Sequence, residues 1–143
     1  MDAFGSAIAD RLRPGDVVAL SGDLGAGKTT LARAILRALG HAGEVPSPSF
    51  AIVEVYDGPA LRLPAVHADF YRLECPRDAD ELGLDDYRDG AALIAEWPEH
   101  AGGFAHEPAC ISVRLETPAE KSGPARIAIV EAGIDWQGRS PCP

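Results

Sequence analysis

Apolar residues recur along the chain with two different periods, and each period predicts its own kind of element. Phe4, Ile8 and Leu12 stand at i, i+4 and i+8, one stripe of a short amphipathic helix that Pro14-Gly15-Asp16 stops. Val17 to Leu20 is an unbroken apolar run, the pattern of a strand buried on both faces of a parallel sheet. Leu31, Ile35 and Leu39 return to helical spacing, and Gly40 supplies a left-handed stop. Further strands are predicted at Phe50 to Tyr56, at Leu61 to Phe70 with a break or edge at Pro64, and at Ala91 to Ala95. Pro76 to Leu84 opens with proline and acidic residues, which suits the N-terminus of a short helix. Cys110 to Glu116 and Ala125 to Glu131 have strand character between Gly- and Pro-bearing flanks, an antiparallel pair. Together these elements predict one α/β domain over residues 1–137: a mostly parallel sheet with flanking helices and antiparallel C-terminal strands. Residues 138–143 read as a loose tail.

Charge narrows the function classes. The 143 residues carry 13 basic against 22 acidic side chains, a formal net of −9, so an unaided grip on nucleic acid or an anionic membrane is disfavoured. The imbalance is local: Glu74 to Glu107 holds ten acidic residues and two arginines. That stretch is either a solvated helical face or a docking surface for a basic partner. Cys75, Cys110 and Cys142 are widely spaced with no C-x-x-C, and the four histidines match no zinc spacing. Neither a secretory signal nor an apolar run of membrane-spanning length is present, so a soluble, cytoplasmic protein with no membrane role is expected.

The most informative stretch is Gly22-Asp23-Leu24-Gly25-Ala26-Gly27-Lys28-Thr29, which fits G-x-x-x-x-G-K-[ST] between a predicted strand and a predicted helix. Glycines let backbone N–H groups turn inward around phosphate oxygens, and the following helix aims its positive end at the same anions. Lys28 would reach the β- and γ-phosphates of a nucleotide, and the Thr29 hydroxyl would ligate Mg²⁺. Lys28 is one of only two lysines beside eleven arginines. The chain contains no asparagine, hence no Asn-Lys-x-Asp guanine motif, and its one glutamine is Gln137. Adenine is favoured by elimination.

A phosphate loop also needs a carboxylate at the end of a neighbouring strand. Asp69 follows the run Leu63 to Ala68, and Glu96 follows Ala91 to Ala95. Glu96 ends the cleaner buried strand and is the metal-side choice; Asp69 would then orient water or an outer ligand. His67 is expected to hydrogen-bond at the strand end, and Trp97 either packs over the site or fills core. Ser47 and Ser49 lie in a proline-stiffened loop, either a candidate switch loop or a plain connector.

Four segments in order are recognisable. Leu20 to Thr30, Ser47-Pro48-Ser49-Phe50, His67-Ala68-Asp69-Phe70-Tyr71-Arg72-Leu73 and Glu96-Trp97-Pro98-Glu99 closely resemble the TsaE-type ATPases of bacteria. Leu82 to Tyr87 is similar to the family's segment between the last two motifs. The resemblance covers about Ala7 to Leu115. It implies a P-loop α/β fold, with Gly25 to Thr30 as the ATP phosphate loop and Thr29 with Glu96 as magnesium ligands. It also implies a required aspartate at Asp69 and functional roles for Thr30 and Trp97, with ATP and Mg²⁺ as cofactors. The implied activity is an ATPase supporting formation of threonylcarbamoyladenosine in tRNA. It would act on the TsaD–TsaB complex, which transfers the threonylcarbamoyl group, and would reset that complex between turnovers. tRNA itself would be contacted indirectly or weakly. Relatives usually carry Ser-Pro-Thr where this chain has Ser47-Pro48-Ser49, which keeps a hydroxyl. They also carry an extra N-terminal strand and a threonine near the adenine, so the base contacts do not carry over.

Two other classes fit the phosphate loop. A small P-loop kinase would pass the phosphoryl group to a metabolite, but it commonly needs an arginine-bearing lid where this chain is strongly acidic. A nucleotide-binding regulatory module that hydrolyses nothing would need neither Asp69 nor Glu96.

Overall fold

The structure is a computed structural model that describes residues 2–23, 25–46, 53–117 and 127–141. The elements are α1 (Asp2–Arg11), β1 (Val17–Ser21), α2 (Lys28–Leu39), β2 (Val53–Tyr56), β3 (Ala65–Asp69), α3 (Arg77–Asp80), α4 (Leu84–Arg88), β4 (Ala92–Glu96), β5 (Cys110–Glu116) and β6 (Ile127–Ala132). The strands form one sheet in the order β2-β3-β4-β1-β5-β6. The inner four run parallel, and β2 and β6 close the edges antiparallel to β3 and β5. This is the mixed α/β architecture the periodicity predicts, including the antiparallel C-terminal pair. β1 sits between β4 and β5, so the loop that follows it opens at the middle of the sheet.

Strand alternation divides the core into two layers. Val18 and Leu20 face α1 and α2, where Ile8, Leu12, Leu31, Ile35 and Leu36 are fully enclosed. Val17 and Ala19 face the other way, against Val66, Phe70, Leu93 and Phe104. Each fully buried Leu, Ile or Phe contributes roughly 1.5–3 kcal/mol, so the apolar stripe of α2 anchors the helix that follows the glycine-rich loop. α1 crosses α2 at Gly5, where a Cβ would lie 2.6 Å from that of Ala34.

Three boundaries differ from the sequence expectation. The strand expected from Leu61 starts only at Ala65, because Pro64 has no N–H for the ladder, although its carbonyl still accepts from Ala92 at 3.0 Å. Of the helix expected over Pro76 to Leu84, only α3 (Arg77–Asp80) forms; the chain then turns, Gly83 going left-handed at φ 68°, and α4 follows from Leu84 to Arg88, almost wholly beyond the expected span. The tail expected to be loose is tied down as far as Pro141. Arg139 is buried, gripping Asp16 through two bonds of 2.6 and 3.0 Å, donating to the Arg11 carbonyl and lying 4.3 Å over the Trp136 ring. Residues 142–143 lie outside the described residues.

Candidate functional site

β1 ends at Ser21 and α2 begins at Lys28, so the first six residues of the glycine-rich octapeptide are the whole connection between a central strand and a helix N-terminus that no side chain caps, and Lys28 and Thr29 open the helix. Gly22 turns at φ 133° hard against β5: a Cβ there would lie 2.3 Å from the Leu115 carbonyl oxygen. Gly27 is left-handed at φ 103° and hands the chain into the helix. Ala26 is buried against the core, whereas Asp23, Gly25 and Thr30 are exposed. The uncapped helix end leaves a positive dipole at the loop, the field an anion needs.

The Lys28 ammonium bends back over this loop. It donates to the carbonyls of Gly22 (2.6 Å) and Asp23 (2.8 Å) and lies 4.3 Å from the centre of the Trp97 ring. Burial pushes its pKa below the ordinary 10.5, against the opposing pull of Glu96, Glu99, Asp69 and Asp23. The cation is thus enclosed, ringed by carboxylates and held by two backbone carbonyls.

Parallel pairing supplies the carboxylates. Asp69 on β3 lies in register with Glu96 on β4, and Glu96 with Leu20 on β1, so both acids reach the C-terminal edge where the glycine-rich loop opens. The Thr29 hydroxyl donates to Glu96 Oε1 at 2.7 Å, and His67 Nε2 meets Glu96 Oε2 at 2.6 Å. His67 and Glu96 are both buried. Asp69 is half-buried and accepts from the Tyr71 N–H at 2.9 Å.

Burial raises the Asp69 carboxyl above its usual 3.8; the Tyr71 N–H opposes the shift and Glu96 reinforces it. The folded state therefore holds this proton more tightly than the unfolded chain. Stability from this group is present in acid and is lost as pH rises from 3.8 through the raised value. Asp69→Asn is expected to remove that fall, which urea midpoints measured across the acid range would show.

The structure thus brings together Lys28, Thr29, Asp69, Glu96 and Trp97. Leu24, Ser47 and Ser49 lie outside the described residues. Two features were not legible beforehand. Trp97 is the one non-glycine among the described residues with positive φ, at 56°, a strained conformation costing of order 1–3 kcal/mol. This turn carries the indole onto the lysine and beside Tyr71 and His100, at ring separations of 5.0 and 5.4 Å. His100 is the second: its Nδ1 bonds the carbonyls of Phe70 and Tyr71, pinning the segment after Asp69 to the turn after Trp97. Neither contact leaves a periodic signal in the sequence. On the opposite side of the loop, a cavity of about 330 Å³ opens between Gly22, Asp23 and Ala26 and the end of β5, walled by Arg114, Glu116 and Thr117.

Comparison with known proteins gives one consistent result. A sequence profile described as "Threonylcarbamoyl adenosine biosynthesis protein TsaE" matches residues 1–126. A Streptomyces coelicolor protein named tRNA threonylcarbamoyladenosine biosynthesis protein TsaE is 44% identical over 104 residues, covering 69% of this chain and 68% of its own. A Bacillus subtilis protein of the same name is 43% identical over 86 residues, covering 59% of this chain and 52% of its own. The match therefore spans between 52% and 68% of these two relatives' length. The crystal structure of Bacillus subtilis YdiB superposes with a TM-score of 0.73 at 28% identity, over 96% of this chain and 82% of that one.

Proposed function

The chain belongs to the TsaE family, and from that premise we propose that it is a Mg²⁺-dependent ATPase required for threonylcarbamoyladenosine formation in tRNA, working on a TsaD–TsaB-type transferase complex in the cytoplasm. The observation that carries this reading is the convergence of Lys28, Thr29, Asp69 and Glu96 on one phosphate loop at the C-terminal edge of the sheet.

The donor set fits a magnesium ion. Mg²⁺ prefers hard oxygen ligands and usually takes one or two from protein, filling the rest with phosphate and water. Thr29 Oγ1 and Glu96 Oε1, in contact at 2.7 Å, are such a pair. No larger group of metal-ligating His, Cys, Asp or Glu occurs among the described residues, and none is needed. When bound, the cation would offset the negative charge that builds on the transferring phosphoryl group.

The remaining work falls to the chain. Lys28 turns from the Gly22 and Asp23 carbonyls to the terminal phosphates and stabilises the same charge. Gly25 and Gly27 keep side chains out of the path of the phosphates, and the α2 dipole adds its field. Asp69 stands beside Glu96 on the neighbouring strand, where it can accept a hydrogen bond from the attacking water and aim it. With Asp69, Glu96 and Trp97 on one side of the loop, the nucleoside is assigned to the other, in the cavity beside Arg114 and Glu116. The acidic balance supports a role carried out through protein partners, with tRNA held mainly by them.

Phosphate release from ATP by the chain with its transferase complex tests this proposal. Release is expected to require Mg²⁺, and Glu96→Ala is expected to raise the Mg²⁺ needed for half-maximal rate at least about tenfold, the scale on which metal sites respond to lost supporting groups. An identical Mg²⁺ titration would remove Glu96 from the metal site. Absence of any release would leave a binding module.

A further inference from the structure

We propose that His67 is a positioning residue that sets the cation preference of the nucleotide site, favouring Mg²⁺ over Ca²⁺ by tying up one oxygen of Glu96; this rests on the Mg·ATP reading above. The carboxylate of Glu96 is split between two partners. Oε1 takes the Thr29 hydroxyl at 2.7 Å, on the side of the phosphate loop, and Oε2 takes His67 Nε2 at 2.6 Å, inside the sheet. A carboxylate only accepts, so Nε2 carries the proton of that bond. His67 has no exposed surface, and its Nδ1 has no hydrogen-bond partner, so the bond to Glu96 is the polar contact that orients the ring. The backbone fixes the geometry: His67 on β3 is two residues before Asp69, opposite Ile94 of β4, and neither strand can rotate within the sheet.

The consequence is chemical. Mg²⁺ demands near-ideal octahedral geometry with few protein ligands, whereas Ca²⁺ takes six to eight oxygens and often binds a carboxylate through both. With Oε2 committed to a buried imidazole, Glu96 offers a cation one oxygen, through Oε1. Without His67, the carboxylate is free to turn both oxygens to the metal side, and the penalty against the larger ion disappears.

Binding of a fluorescent N-methylanthraniloyl ADP tests this without turnover, in Mg²⁺, in Ca²⁺ and in EDTA. Wild type is compared with His67→Leu, which cannot donate, and His67→Gln, whose side-chain amide can. The ratio of ADP affinity in Mg²⁺ to that in Ca²⁺ is expected to fall about tenfold in His67→Leu, in the range typical for removing a supporting partner of a metal ligand. His67→Gln is expected to keep most of the wild-type ratio. Affinity in EDTA is expected to be unchanged in both, which a general loosening of the fold would not allow. A wild-type ratio in His67→Leu, or an equal loss in His67→Gln, would overturn the role of His67 while leaving the metal site standing. A wild-type chain that binds ADP equally well in all three conditions would overturn the metal site itself, and this inference with it. Should His67→Leu fail to fold, His67→Met, which likewise cannot donate, takes its place with the same expected loss and the same overturning result.

Discussion

Lys28→Ala is expected to lower ATP affinity about a hundredfold or more while leaving the chain folded. The ammonium now holds two backbone carbonyls and an indole face, all of which are uncharged and can be satisfied otherwise. Toward a triphosphate it would instead make charge-assisted hydrogen bonds, each worth about 1.5–3 kcal/mol, and two of them account for a hundredfold at 1.4 kcal/mol per tenfold. Its removal also leaves Asp69, Glu96 and Glu99 facing the phosphates without a fixed opposing charge. The fold should tolerate the change, since truncation relieves the burial penalty that already depresses the lysine's pKa. Calorimetric titration with ATP, alongside a thermal melt, separates the two effects. Wild-type affinity in a folded Lys28→Ala chain would remove the octapeptide from nucleotide binding.

Asp16→Ala is expected to destabilise the fold as strongly as truncation of a large core side chain, although it lies away from the site. Asp16 and Arg139 are buried and joined by two hydrogen bonds, and Asp16 also accepts from the Arg13 N–H at 2.7 Å. Removing one partner strands the other's charge in the interior, which costs about 3–5 kcal/mol. Replacing both with apolar residues should cost much less than the sum, because no charge is left behind. Urea unfolding of Asp16→Ala, Arg139→Met and the double variant measures this directly. Trp136, whose indole bonds the Ala109 carbonyl at 2.8 Å, reports through its fluorescence whether the C-terminal segment stays docked. A cost below about 1 kcal/mol, the level of an exposed pair, would mean that Arg139 remains solvated.

This clasp also marks the limit of what the sequence reveals. Periodicity located the central strands to within a few residues because burial on both faces forces an unbroken apolar run, as in Val17 to Leu20. The glycine-rich loop between strand and helix was legible because its motif fixes residue types at a set spacing. Asp69 and Glu96 were legible as acids after apolar runs, and parallel register then places them side by side. Long-range pairings had no such signature. Nothing local to Arg139 announces a partner 123 residues away, so a polar terminus read as a tail. The early end of α3 and the separate helix α4 were equally hidden, since an acidic stretch of helical composition gives no sign that its glycine, Gly83, will turn left-handed. The strained backbone of Trp97 is a tertiary effect: Lys28, Tyr71 and His100 surround a ring whose conformation no local propensity favours.

The central claim, that nucleotide hydrolysis here serves a transferase complex, is tested most directly by counting threonylcarbamoyladenosine formed per TsaD–TsaB complex in the presence of ATP, Mg²⁺, tRNA and the carbamoyl-adenylate donor. With the wild-type chain, the complex should pass through many turnovers; with Lys28→Ala, or without the chain, it should stall after the first. Sustained turnover in the presence of Lys28→Ala alone would contradict the account.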